Sequence, residues 1–273
     1  MPGAVDGFPW WTVIGRIGDV TPEFAASAVA RPVGELEHAW STDPGVLGRA
    51  RMLELSGWSF YLAGRAGVLG DDLPVWALAA LFGTIEPEAL RAGWEPAGRV
   101  GASAVAAARL TECARWGADR LDGVVDQGLA RLLTRVVAGA SSAALPVFAA
   151  TRAAVTTMLA DQPAWDAQGP GARVALLTHV LAEQRSAAML VACRAVGLSP
   201  VETLIAGPDG EQEAVVSGWT PPFPPRLTVL RRYTSARALA DRICGDAYAE
   251  LTAAERMCLV DRLRSAAAAV ADS

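Results

Sequence analysis

The chain has 273 residues, 52% of them hydrophobic and 19% charged, with a formal net charge of −5. This length and composition allow one large or two modest globular domains with a substantial buried core. All 24 basic side chains are arginine, which excludes Schiff-base catalysis, a pyridoxal phosphate anchor and a phosphate loop that ends in lysine. Two histidines and four scattered cysteines lack the spacing of a zinc or iron site, so we expect no metal. No cofactor is expected either, since no dinucleotide-binding glycine motif follows a strand; a flavin or haem held by helices stays open, because it leaves little trace in a sequence.

The acidic net charge bears on the partners of the protein, and the apolar segments of the chain bear on its location. A negative surface disfavours general binding to nucleic acid, and on this ground DNA is not expected to be a partner. The chain begins without a basic, apolar leader, and no apolar run is long enough to cross a membrane. We therefore expect a cytoplasmic protein with free thiols.

Helix signals dominate the sequence from one end to the other. Thr21-Pro22-Glu23 predicts a helix start, because it places a capping residue, a proline and an acidic residue in that order. Ser199 and Thr252 each precede a glutamate by three residues, which is the spacing of a capping box. Further helices are predicted over about 104–138, as one long core helix with an apolar stripe, and over about 142–159 and 172–196.

One segment is typical of a hairpin. Pro208-Asp209-Gly210 is a turn signature, and Ala214-Val215-Val216 is predicted to be a short strand after it. The proline cluster over 221–225 is the best linker candidate, since consecutive prolines continue neither a helix nor a sheet. The predicted fold is therefore mainly α, a multi-helix orthogonal bundle, with a helical domain over 1–218 and a C-terminal region over 219–273.

Two helical segments carry recognisable motifs. The first, over 57–70, reads Gly-Trp-Ser-Phe-Tyr-Leu-Ala-Gly-Arg-Ala-Gly-Val-Leu-Gly, an aromatic-rich helix that runs into a glycine turn; the second extends from Leu177 to Leu198. Together they resemble the SalK-like family of actinobacterial helical proteins, loosely over about 52–219. The resemblance implies a MarR-like winged helix at the C-terminal end and an association with natural-product gene clusters.

The chain departs from this family in two places. Gln184 and Met189 occupy the positions of two histidines in the family's later motif. Proline follows Gly218-Trp219-Thr220, where the family has an acidic helix start. We therefore expect the C-terminal part to be a degenerate winged helix.

The first motif also predicts a binding face. Glu54, Trp58, Tyr61 and Arg65 are spaced four, three and four residues apart, so they would share one face of a helix. If this face lines a pocket, Arg65 would hold a ligand anion between two aromatic rings, with Glu54 as its partner or as a base. The alternative is a structural ion pair at a contact between helices.

In the second motif, His179 and Glu183 lie four residues apart, which is typical of a carboxylate-oriented imidazole and hence of a general base. A histidine of the core is the alternative. The nine tryptophans suggest an aromatic cavity wall or core packing. The candidate catalytic residues are Glu54, Tyr61, Arg65, His179 and Glu183, and the candidate substrate-binding residues are Trp58, Trp76, Gln184 and Arg185.

Three functional classes stay open. The first is a cofactor-independent cyclase, isomerase or lyase of natural-product metabolism, which acts on a hydrophobic small molecule in a Trp-lined cavity. The second is a ligand-responsive MarR-like transcriptional regulator, favoured by Arg226, Arg231, Arg232 and Arg237 after the proline cluster. The third is a non-catalytic small-molecule-binding or partner protein. A homodimer fits the second and third classes and does not exclude the first. The implied natural-product association, the tryptophans and the lack of metal and nucleotide motifs place the enzyme first, and the acidic net charge counts against the regulator.

Overall fold

The computed structural model describes residues 20–141, 145–160 and 169–272, and these form thirteen α-helices and no strand. The prediction of a mainly α fold is confirmed. Two short 3-10 helices, Gly67–Leu69 and Asp246–Tyr248, join α-helices. The α-helices are α1 (Pro22–Ser41), α2 (Pro44–Met52), α3 (Gly57–Ala66), α4 (Val75–Phe82), α5 (Pro87–Gly98), α6 (Ala102–Leu121), α7 (Gln127–Gly139), α8 (Pro146–Leu159), α9 (Pro170–Ala195), α10 (Pro200–Ala206), α11 (Gly210–Val216), α12 (Arg226–Gly245) and α13 (Ala253–Ala271).

The predicted helix starts are confirmed by their caps. The Thr21 hydroxyl accepts a hydrogen bond from the backbone N–H of Phe24 at 3.1 Å at the start of α1. Ser199 and Thr252 form full capping boxes at the starts of α10 and α13. Each cap satisfies backbone donors that the first helical turn leaves unpaired.

The single long helix predicted over 104–138 is wrong. α6 ends at Leu121, and α7 begins at Gln127. The Asp126 carboxylate caps α7 by accepting from the N–H of Leu129 at 2.9 Å, and Asp122 accepts from the N–H of Gly171 at 2.6 Å. Both aspartates therefore accept hydrogen bonds from backbone N–H groups, and these bonds compete with a continuous helix. The apolar stripe continues across the break because α6 and α7 face the same core.

The predicted hairpin is also wrong, because residues 200–216 form the short helices α10 and α11. A lone strand leaves its backbone groups unpaired unless a second strand lies beside it, whereas a helix satisfies them within the segment. The described residues of the C-terminal region, 219–272, hold the helices α12 and α13 and no strand. A wing of strands is therefore missing from this part of the chain, in line with a degenerate winged helix.

Helix α9 lies at the centre of the bundle, where it packs against α1, α6, α7, α8 and α12. Its side chains are buried on nearly every side along its first half, as expected of a helix without a polar face. At the crossing with α6, a Cβ atom added to Gly117 would lie 2.5 Å from the carbonyl oxygen of Gly171. The two backbones are therefore in direct contact, and only glycine fits there.

The C-terminal helices share this core. α12 packs against α1, α9 and α10, and α13 packs against α1; a domain boundary near the proline cluster stays a prediction. The four cysteines are free thiols. No single described helix is long and apolar enough to cross a membrane, although α9 and α10, bent by 113°, pass that test as a pair by length and composition alone.

Candidate functional site

A cavity of about 470 Å³ opens between α3, α4, α8, α9 and α10. This volume lies in the range of small-molecule sites, which are mostly apolar with a few polar groups. Five of its apolar lining residues are Leu81, Phe82, Val147, Met189 and Leu190. The charged lining residues among those described are Arg65, Glu183 and Arg194.

A bidentate ion pair forms the inner end of the cavity. The Nε and Nη2 groups of Arg65 donate to the two carboxylate oxygens of Glu183 at 2.6 and 2.7 Å, and Nη1 donates to the Tyr61 hydroxyl at 2.7 Å. The Arg65 side chain is 15% exposed and that of Glu183 is 4% exposed. The guanidinium also lies 5.3 and 5.4 Å from the ring centroids of Tyr61 and Phe82, which suits a cation against aromatic rings.

Electrostatics keep Arg65 protonated. Burial alone lowers the pKa of Arg65, but the adjacent Glu183 carboxylate and the Tyr61 oxygen raise that pKa above its usual range. The two charges cancel, so the inner end of the cavity is polar without a net charge.

A second buried polar cluster lies behind the first and centres on Glu37 of α1. Its Oε2 atom lies 2.9 Å from Nδ1 of His179 and accepts from the Trp40 indole at 2.8 Å, while Oε1 accepts from Nη2 of Arg109 at 3.4 Å. Burial alone raises the pKa of Glu37, but His179 and Arg109 together lower it to about 2. Glu37 is therefore the anion that holds α1, α6 and α9 together at this point.

Arg109 of this cluster is fully enclosed, with 2% of its side chain exposed. Its guanidinium lies 4.3 Å from the Trp40 ring centroid and 5.5 Å from that of Tyr61, and its Nη1 atom has no hydrogen-bond partner among the described residues. Gly64 makes room for it, because a Cβ atom there would lie 2.0 Å from the Arg109 Cδ atom.

Sequence reasoning missed both Glu37 and Arg109. One signal was present for Arg109, which lies four residues after Val105 and four before Cys113 on the apolar stripe of α6. A cation on such a stripe indicates a buried partner. The same signal was present for Glu37, which lies four residues after Val33 and three before Trp40 on the apolar stripe of α1.

The predicted helical face of Glu54, Trp58, Tyr61 and Arg65 is wrong at its first member. α2 ends at Met52, and Ser56 caps a new helix by accepting from the N–H of Ser59 at 3.0 Å. Glu54 therefore lies between helices, exposed and with a left-handed φ of 57°, and Glu183 takes its expected place beside Arg65. Trp58 does share the face, since its ring stacks on Tyr61 at 5.7 Å.

His179 and Glu183 do not pair with each other. Because α9 is enclosed by several helices, the two side chains meet different neighbours, Glu37 and Arg65 respectively. A catalytic role for His179 or Glu183 stays a prediction.

The remaining candidates lie apart from the cavity wall. Gln184 is buried in α9, Arg185 forms an ion pair with Asp241 of α12, and Trp76 is 76% exposed. The described aromatic residues that line the cavity are Tyr61 and Phe82, and none of the described tryptophans does so. Trp10, Trp11 and Trp165 lie outside the described residues, so a Trp-lined wall stays a prediction. Within the described residues, no group of three or more His, Cys, Asp or Glu side chains could hold a metal ion.

Helices α9 and α10 form a second functional feature. They are joined by residues 196–199 and bent by 113°, and Gly197 in the turn has a φ of 75°. Two helices at about 90–120° joined by a three- or four-residue turn with glycine are the geometry of a helix-turn-helix unit. Arg232 of α12 braces this turn by donating to the carbonyl oxygen of Gly197 at 2.6 Å and to Glu202 at 2.7 Å.

Helix α12 beside this unit carries five arginines and one aspartate. Four of the arginines are exposed, and their side chains form no hydrogen bond or ion pair with the described residues. These are Arg226, Arg231, Arg237 and Arg242. The single aspartate, Asp241, is neutralised by Arg185, so the exposed face of α12 is basic.

The sequence matches the helix-turn-helix family over residues 26–273. The chain belongs to this family. No curated protein and no solved structure is detectably similar to it. The match favours the regulator among the three functional classes and lends no support to a cyclase, isomerase or lyase.

Membership of the helix-turn-helix family corrects one expectation. The inference that DNA is not a partner is wrong, because this family match over residues 26–273 points to DNA binding. The inference failed because a net charge of −5 averages over the whole chain and conceals the basic face of α12.

Proposed function

We propose that the protein is a ligand-responsive transcriptional regulator that binds DNA. Membership of the helix-turn-helix family across residues 26–273 carries this proposal. The resemblance of the sequence to the SalK-like family, with its MarR-like relatives, supports the same conclusion. The basic face of α12 and the cavity beside α9 and α10 supply a surface for each of the two activities.

The geometry of α12 favours contact with the phosphates on both sides of a major groove. Arg226 and Arg237 are eleven residues apart, as are Arg231 and Arg242, so each pair forms a row about 16 Å long on one side of the helix. The two rows lie about 140° apart around the axis. The strip that separates them holds Leu227, Leu230, Thr234, Ala238 and Asp241.

A major groove about 12 Å wide admits one α-helix. In that position the two arginine rows reach phosphates of opposite strands, and the strip between them faces the bases. Arginine contacts with phosphate position a protein on DNA, and contacts with base edges supply the specificity.

The cavity supplies the ligand response, because it is lined by both helices of the helix-turn-helix unit. Leu190 and Arg194 come from α9, and Thr203 comes from α10. A ligand that touches both helices binds better at one angle between them than at another, and it therefore shifts the population of the two arrangements.

The test is selection of bound duplexes from a random DNA library, followed by mobility shift over a range of salt concentrations. Removing two phosphate contacts with Arg231→Gln and Arg242→Gln should weaken binding and lower the slope of log affinity against log salt by about two. A matched control carries Arg51→Gln and Arg99→Gln, two exposed arginines outside α12, and should bind as the parent does. No selected duplex, or equal loss in both double variants, would contradict the proposal.

A further inference from the structure

The floor of the cavity is one face of α9 between Glu183 and Arg194. These residues are eleven positions apart and both line the cavity, so they lie within about 20° of each other around the helix and about 16 Å apart along it. Ala187 and Leu190 lie between them on the same face. The floor is therefore long and apolar, with a polar group at each end.

The inner end does not attract an anion. Glu183 already neutralises Arg65 through two hydrogen bonds, and a second carboxylate there would be repelled by the first. The Tyr61 hydroxyl accepts from Arg65 and keeps its own proton to donate. This end therefore suits an uncharged terminus or a single hydrogen-bond acceptor.

The outer end has the opposite character. Arg194 is exposed, and within the described part of the chain its guanidinium forms no hydrogen bond or ion pair. Since Arg65 and Glu183 cancel, Arg194 gives the lining its net positive charge. An arginine in this state binds a carboxylate well, because its planar fork offers two parallel donors.

We propose that the cavity binds an elongated apolar carboxylic acid, with the acid group on Arg194 and the apolar body along α9 toward Tyr61. The inference rests on the proposed function and names the ligand class of that regulator. A nucleotide or sugar does not fit, because the walls between the two polar ends are mainly Leu81, Phe82 and Leu190. The carboxylate contacts the last turn of α9, next to the turn that leads into α10.

Calorimetric titration with decanoate, in parallel with 1-decanol, tests this assignment without DNA present. Decanoate should bind more tightly than the alcohol, and Arg194→Gln should weaken decanoate by about ten-fold, the loss of one partly exposed charge-assisted contact. Arg194→Lys keeps the charge but loses the planar fork, so it should restore only part of the affinity. Arg99→Gln, at an exposed arginine outside the cavity lining, should leave both titrations unchanged.

A substitution in the middle of the cavity floor distinguishes binding inside the cavity from a general effect of charge on decanoate affinity. Ala187→Phe fills the apolar section and should weaken decanoate and 1-decanol alike, whereas Arg194→Gln should affect only the acid. Equal binding of the acid and the alcohol to the parent, no binding of decanoate, or unchanged affinity in Arg194→Gln overturns the proposal. If decanoate does not bind but DNA does, the ligand class alone is overturned. If decanoate binds but DNA does not, the regulator alone is overturned.

Discussion

Replacement of Glu183 by glutamine should destabilise the fold strongly. The substitution keeps the size of the side chain but removes the negative charge that faces Arg65, which is only 15% exposed. Removing one partner of a buried ion pair leaves an uncompensated charge and costs about 3–5 kcal/mol. At about 2–4 °C per kcal/mol for a protein of this size class, the melting temperature should fall by about 6–20 °C.

A double-mutant cycle separates the lost ion pair from other effects of the substitution. Arg65→Met alone should also be destabilising, because Glu183 then keeps a buried charge without its cation. The double variant Arg65→Met with Glu183→Gln should be more stable than the sum of the single losses predicts. Urea unfolding followed by circular dichroism measures all four proteins. A loss below about 1 kcal/mol in Glu183→Gln, the value of an exposed pair, would refute the reasoning.

Three further results are expected. Glu37 has a pKa of about 2 in the folded protein against an ordinary value of 4.5, so its stabilising effect, about 3 kcal/mol, is present above pH 4.5 and is lost as the pH falls toward 2; Glu37→Gln should flatten acid unfolding in that window. Gly64→Ala places a methyl group against Arg109 and should cost about 1–3 kcal/mol in thermal unfolding. Asp126→Ala removes the cap of α7 and should cost about 1 kcal/mol in urea, whereas Asp72→Ala, at an exposed residue outside the helices, should cost nothing measurable.

Local features of the fold could be predicted from the sequence, because they depend on residues a few positions apart. The capping boxes at Ser199 and Thr252 are examples: each cap and its glutamate lie within one helical turn. The break between α6 and α7 was harder, since the apolar stripe continues through it. Of the two aspartates at this break, Asp126 caps α7 locally, whereas the partner of Asp122, Gly171, lies 49 residues later and cannot be predicted from spacing.

The candidate site was less predictable because its polar partners are distant in sequence. Arg65 and Glu183 are 118 residues apart, and Glu37 and His179 are 142 apart. Spacing along one helix suggested that Glu54 pairs with Arg65 and that His179 pairs with Glu183. In the structure, Arg65 and His179 instead pair with residues of other helices, Glu183 and Glu37 respectively. The motif did place Tyr61 and Arg65 together on one short helix, and both line the cavity; a catalytic role for either stays a prediction.

The contact between Gly117 and Gly171 limits how the proposed regulator could respond to a ligand. With two backbones touching, α9 cannot slide along α6 without a steric clash, so a shearing motion of this pair is excluded. In the proposed regulator, a rearrangement that links the cavity to α10 would then act at the four residues 196–199, where Gly197 has a left-handed φ of 75°. In this picture the N-terminal half of α9 stays fixed against α6, and the turn at the C-terminal end of α9 is the hinge.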